Sequence, residues 1–94
     1  MYAAVRRYDG ATDPAETARR VQEGFIPLIR EVPGLVAYYA IDAGAGVIVS
    51  ISVFQDQAGS EESTKRAADY VRENLASLLP NPPQVTAGEI VASG

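Results

Sequence analysis

The sequence predicts an α+β sandwich, a four-stranded antiparallel sheet with two helices on one face. Three observations carry this. Strand-like and helix-like stretches follow one another as β-α-β-β-α-β, the ferredoxin-like order. Residues Gln84 to Ala92 supply the closing strand. The middle strands are apolar on both faces, although two helices can cover only one.

Tyr2 to Tyr8 reads as the first strand, ended by the turn pair Asp9-Gly10. A helix opens at Asp13-Pro14-Ala15-Glu16. Asp13 can accept from the free first-turn amides, Pro14 suits the first helical position, and Glu16 lies three residues past the cap. Apolar residues recur helically at Ala18, Val21, Phe25, Leu28, Ile29 and Val32. Pro27 cannot donate to residue 23, so a kink or break is expected near Gly24. Pro33-Gly34 ends the element.

Leu35 to Asp42 and Val47 to Gln55 read as a hairpin joined by Ala43-Gly44-Ala45-Gly46. The second of these strands puts Val47, Val49, Ile51 and Val53 on one face and Ile48, Ser50, Ser52 and Phe54 on the other. Ser50 and Ser52 read as small residues that let two sheets approach closely. A charge at Ile51 is expected to unfold the domain whichever face it uses, and a charge at Ser50 or Ser52 to split a pair of subunits if those serines face the partner. Gln55 to Ser60 reads as a loop. Glu61 and Glu62 then suit the positive end of a helix whose stripe is Ala67, Ala68, Val71, Leu75, Leu78 and Leu79, with Tyr70 beside it. Pro80-Asn81-Pro82-Pro83 stops that helix and leads into the last strand.

Right-handed crossovers in both halves give the spatial strand order 4-1-3-2. The sheet's far face is then bare. Covering it with the same face of a second copy predicts a twofold homodimer with a shared α+β barrel.

Residues 1–94 are expected to form one domain, because either half would be too small to bury a core. At 47% hydrophobic and 21% charged residues, the composition is that of a folded protein. A net charge of −4 argues against nucleic acid as a partner. The chain has no cysteine and no histidine. Disulfides and thiolate chemistry are therefore excluded, and the commonest metal ligand and neutral-pH base are missing. No metal and no cofactor are expected. No apolar run has the length of a membrane span or a signal peptide, so no membrane partner and a cytoplasmic location are expected.

The stretch Phe25-Ile26-Pro27-Leu28-Ile29-Arg30-Glu31-Val32-Pro33-Gly34-Leu35-Val36-Ala37-Tyr38-Tyr39 resembles a helix ending in Pro-Gly before an aromatic-rich strand. That pattern is similar to the antibiotic-biosynthesis-monooxygenase-like group of the dimeric α+β barrel superfamily. Val49 to Asp56 resembles the group's third strand and Ala87-Gly88-Glu89 its last. The resemblance implies the fold, a homodimer, and enzymes that include cofactor-free oxygenases of polyketide phenols and haem-degrading oxygenases. The haem enzymes use a histidine, a tryptophan and an asparagine. This chain has neither histidine nor tryptophan, and its asparagines are Asn74 and Asn81, so haem degradation is disfavoured.

Candidate site residues follow from strand geometry. Neighbours Tyr38 and Tyr39 point to opposite faces, one toward the helices and one toward the barrel. Either suits a phenolic ligand, and either also suits an ordinary core. Arg6 and Arg7 diverge in the same way. The inward one needs a partner, for which Glu89 on the neighbouring last strand is the natural choice; together they read as an ion pair or an anion clamp. A cavity between helices and sheet is expected to involve residues such as Phe25, Tyr39 and Tyr70, with Tyr38 the other pocket candidate. Asp42, Asp56, Glu61 and Glu62 lack the spacing of a cation loop. The expected function is binding of a small apolar or aromatic molecule without catalysis. The alternative is a cofactor-independent monooxygenase acting on a phenolic or quinone-like substrate, and a third reading is a pure assembly module.

Overall fold

The computed structural model describes residues 1–94. Strand β1 (Tyr2–Tyr8) leads to helix α1 (Pro14–Arg20), a π-helical segment (Val21–Phe25) and helix α2 (Ile26–Ile29). The hairpin β2 (Leu35–Gly44) and β3 (Val47–Phe54), helix α3 (Gln57–Asn74) and strand β4 (Gln84–Glu89) follow. The sheet order is β2-β3-β1-β4, all antiparallel, which is the expected order read from the other edge.

Local chemistry accounts for the elements. The Asp13 carboxylate accepts from the Glu16 amide at 3.1 Å and Pro14 opens α1. Pro27 has no N–H for the Glu23 carbonyl. One turn earlier the rod widens, and the Ile26 amide donates to the Val21 carbonyl five residues back. The expected kink is thus a π turn. In the hairpin, Ala45 and Gly46 have φ of 53° and 76°, positive at both central positions of a two-residue turn. Asp42 accepts from the Gly44 amide at 3.0 Å and steadies the irregular register beside that turn.

Three expectations need correction. Helix α3 ends at Asn74 with Leu75 as its C-cap, so Leu78 and Leu79 follow the helix and Pro80 does not stop it. Residues 57–60 are not loop, since Asp56 caps α3 by accepting from the Gly59 amide at 2.8 Å. The first turns of α3 bury Gly59, Ser60 and Ser63, followed by Ala67. This face is small rather than apolar, because a Cβ at Gly59 would stand 2.8 Å from the Phe54 ring. The last concerns the residues of β3, whose two faces the sequence left unassigned. Ile48, Ser50, Ser52 and Phe54 are buried under the helices, whereas Val47, Val49, Ile51 and Val53 are only half-buried on the bare face. Ser50 and Ser52 therefore belong to the interior and cannot meet a second sheet. Ile51 lies outside the core, so a charge there has no reason to unfold the monomer.

The core divides in two. Tyr8, Ile48, Leu75, Leu78 and Leu79 pack at one end, and Phe25, Ile29, Val32, Phe54 and Ala67 at the other. Tyr70 and Val21 touch both clusters. Between them the sheet presents Arg6 opposite Ser50 and Ala4 opposite Ser52. The core has a polar waist.

Tyr70 ties α3 to the π turn by donating to the Arg20 carbonyl at 3.0 Å. A Cβ at Gly24 would overlap that hydroxyl. Gly24→Ala is expected to cost about 1–3 kcal/mol, the usual range for overpacking. Urea denaturation of Gly24→Ala with and without Tyr70→Phe checks the cause, since removing the hydroxyl should recover part of the loss.

Candidate functional site

The waist is built around Arg6. Its position on β1 aims it under the helices, where the residue is 2% exposed. Nη1 donates to Ser52 Oγ at 3.4 Å, and Nη2 donates to Ser63 Oγ at 3.4 Å and Thr64 Oγ1 at 2.7 Å. Ser63 is set as an acceptor because its own hydroxyl donates to the Ser60 carbonyl at 2.8 Å. Arg6 Nε has no partner. No carboxylate reaches the guanidinium, although buried charges are normally paired. Burial pushes Arg6 below its ordinary pKa while Tyr8 and Tyr38 act in the opposite direction. Guanidinium remains charged in proteins regardless.

Glu89 is not the partner that strand adjacency suggested. It stands opposite Tyr2, whereas Val85 stands opposite Arg6, and its carboxylate lies 3.6 Å from the N-terminal ammonium. Arg7 faces away from the helices and holds Asp9 at 3.1 Å on the surface. The three residues do not form one clamp. Only Arg6 enters the interior.

A cavity of about 350 Å³ lies between β1, β4 and α3. Arg6, Tyr8 and Thr64 give it polar groups, while Ala68, Val71, Leu79 and Val85 give it apolar wall. Its rim includes the loop Pro80–Pro83. Asn81 Nδ2 anchors that loop by donating to the Asp9 carbonyl at 3.1 Å, and the Thr12 amide donates to the Leu78 carbonyl at 3.1 Å. A second void of about 30 Å³ lies beneath the π turn, lined by Phe25, Tyr38 and Tyr70 among others. Tyr8, Val71 and Leu79 border both spaces.

Phe25 is the hub of the narrower end, with ring centroids 5.5 Å from Tyr38 and 5.5 Å from Tyr70. Tyr38 is the inward member of its pair, in register with Ser52. Tyr39 is 60% exposed on the bare face and does not line the cavity, contrary to expectation. Burial raises the Tyr38 phenol above its ordinary pKa, and the Ser50 hydroxyl and Arg6 charge only partly oppose it. Tyr8 is raised for the same reason, again with Arg6 opposing.

Tyr8, Ser52, Ser63 and Thr64 were missed as site residues. The signal was present in the spacing of Ser60, Ser63, Thr64 and Ala67, a helical stripe of small side chains. Asp42 steadies the hairpin turn, Asp56 caps α3, Glu61 accepts from Gln57, and Glu62 pairs with Arg66. No group of three or more metal-ligating side chains is present. No helix is long and apolar enough to cross a membrane.

Tyr8 and Tyr38 make stability pH-dependent. A phenol raised in the folded state keeps its proton where the unfolded chain has lost it. Its contribution is fully present below about pH 10, the ordinary tyrosine value, and is lost as pH climbs through the raised values. Alkaline unfolding followed by circular dichroism should therefore move to higher pH in the double variant Tyr8→Phe/Tyr38→Phe, after correction for any change at neutral pH.

No family model matches the chain, and no curated protein matches it. Solved structures do. A protein of unknown function from Nitrosomonas europaea superposes with a TM-score of 0.78 at 23% identity, covering 99% of this chain and 91% of that one. A monooxygenase of Streptomyces coelicolor, solved with nanaomycin D bound, gives 0.71 at 25% identity, with 98% and 92% covered. A putative antibiotic biosynthesis monooxygenase from Nitrosomonas europaea gives 0.76 at 11% identity, with 98% and 100% covered. The chain has the antibiotic-biosynthesis-monooxygenase-like fold, a ferredoxin-like α+β sandwich.

Proposed function

We propose that this chain is a homodimeric binding protein for a small, flat, largely apolar molecule held between the sheet and α3. The observation that carries this reading is the cavity of about 350 Å³ beside Arg6, continuous in its walls with the aromatic cluster of Phe25, Tyr38 and Tyr70. Its volume lies in the range of small-molecule sites, and its few polar groups converge on one end. Titration with a naphthalene-sized probe, read by tyrosine emission, should give submillimolar saturable binding. Ala68→Trp, which fills the cavity wall, should weaken it at least about tenfold, the scale of a lost apolar contact area. Unsaturable binding, or binding indifferent to that substitution, would place the ligand elsewhere.

The dimer rests on the other side of the sheet. Tyr39, Ile51, Val5 and Thr86 form one row across the four strands, and Ala37, Val53, Ala3 and Gly88 the next. Tyr39 at 60% and Ile41 at 44% exposure are large apolar groups that a lone subunit leaves in water. Arg7 is the one charged side chain in these rows and the one beside them, and it sits at the end of β1 near Asp9. Such a face favours a self-complementary partner. Sedimentation should report about twice the mass of one chain. Ile51→Asp should give a folded monomer with an unchanged circular dichroism spectrum; a dimer surviving that substitution would refute the shared face.

A cofactor-independent monooxygenase is the second reading, favoured by the likeness to the nanaomycin-bound enzyme. An anthrone-type substrate can itself supply all four electrons that reduce dioxygen. Its methylene carbon loses two hydrogens and gains one oxygen atom, while the second oxygen atom leaves as water. The protein would supply a dry pocket, a cation for the developing oxyanion, and a phenol to relay the proton. Oxygen uptake with an anthrone and quinol panel tests this. Catalysis should fall in Tyr38→Phe or Tyr8→Phe and persist in Tyr39→Phe, which touches the other face. Uptake no faster than in buffer leaves the binding reading alone.

A further inference from the structure

We infer that the ligand of this cavity is an anion, a flat aromatic carboxylate or phenolate whose negative oxygen rests against the Arg6 guanidinium. The inference deepens the binding reading and rests on it. Arg6 is nearly inaccessible, at 2% exposure, and every polar group donated to is an uncharged hydroxyl. Its Nε–H has no acceptor. The groups around it are neutral on each side: Tyr8 on its own strand, Tyr38 on β2, Ser52 on β3, and Ser63 and Thr64 on α3. Strand β4 contributes only Val85 opposite it.

Charge around the cavity is as lopsided as around the residue. The whole chain carries 12 acidic and 8 basic side chains, yet no carboxylate lines this cavity and two arginines do. The second, Arg72, is exposed and already holds Asp69 at 2.9 Å. Arg6 is the cation whose counter-charge the protein does not provide. A neutral ligand would leave it uncompensated, and a cationic ligand would make matters worse. An oxyanion supplies the missing charge and an acceptor of a geometry suited to a guanidinium.

Three probes of one aryl body separate the sources of charge: para-nitrobenzoate, para-nitrophenol and the neutral ether para-nitroanisole. The carboxylate should bind the native protein at least about tenfold more tightly than the ether, the low end for a charge-assisted hydrogen bond. Absorbance of the phenol across pH should show its apparent pKa lowered by about one unit or more when bound, since the yellow phenolate is the form preferred. Arg6→Met keeps the stem and removes the charge, and it should fold at least as stably as the native chain because an uncompensated buried charge is gone. In that variant the carboxylate should lose its advantage while affinity for the ether stays within a factor of about two. Equal affinity for carboxylate and ether in the native protein, a phenol pKa unmoved or raised, or a preference that survives in Arg6→Met would overturn the anion inference while leaving the binding reading intact. Failure of all three probes to bind would overturn both. If Arg6→Met does not fold, the phenol titration of the native protein decides alone.

Discussion

One buried positive charge without a counter-charge organises the interior of this protein. A guanidinium brings five donors and no acceptor, and desolvating it is costly unless polar groups surround it. At Arg6 the surroundings are hydroxyls from β3 and α3. That requirement explains why the middle of the helix-covered face carries Ser52 rather than a valine. It also explains why α3 begins with Gly59, Ser60 and Ser63 on its buried side. Small residues let the helix come close enough to bring Ser63 and Thr64 to the arginine. Apolar packing is pushed to the two ends, where the Tyr8–Leu75 and Phe25–Phe54 clusters hold the sandwich together.

Architecture was legible in the sequence to a large extent. Element order, strand order, the Asp13 cap, the disturbed helix around Gly24 and the hairpin all follow from turn chemistry and periodicity. Those signals are local, or depend only on connection handedness. The start of α3 was not legible, because Gln57-Ala58-Gly59-Ser60 is the composition of a loop and becomes helical only through the Asp56 cap and the contact of Gly59 with Phe54. The partner of Arg6 was not legible either. Adjacency of first and last strands is a topological fact, but which residue stands opposite which depends on register, and register places Glu89 beside Tyr2.

The two faces of β3 carry a more general point. Hydrophobicity alone assigns Val47, Val49, Ile51 and Val53 to the core, and a monomer obeying that rule would turn its serines to water. The strand does the opposite because its buried neighbours include a charge, while its apolar set lies in rows with Tyr39, Ile41 and Val5. Two kinds of burial are at work on one strand. The helix side satisfies a charge, and the bare side is suited to another sheet.

Likeness at 11% identity with nearly full coverage shows that the sandwich tolerates almost complete replacement of its side chains. Chemistry therefore has to be argued from what this chain itself places in its interior. With no histidine to exchange protons near neutrality, its cavity has phenols that hold their protons and an arginine that holds its charge. Such groups are poor acids and bases at neutral pH but good fixed dipoles and cations. They favour recognition of a charge that the ligand already carries, or stabilisation of one that the ligand develops unaided. In either case the site acts through where its charge is fixed, and Arg6 sits in that position without a counter-ion of its own.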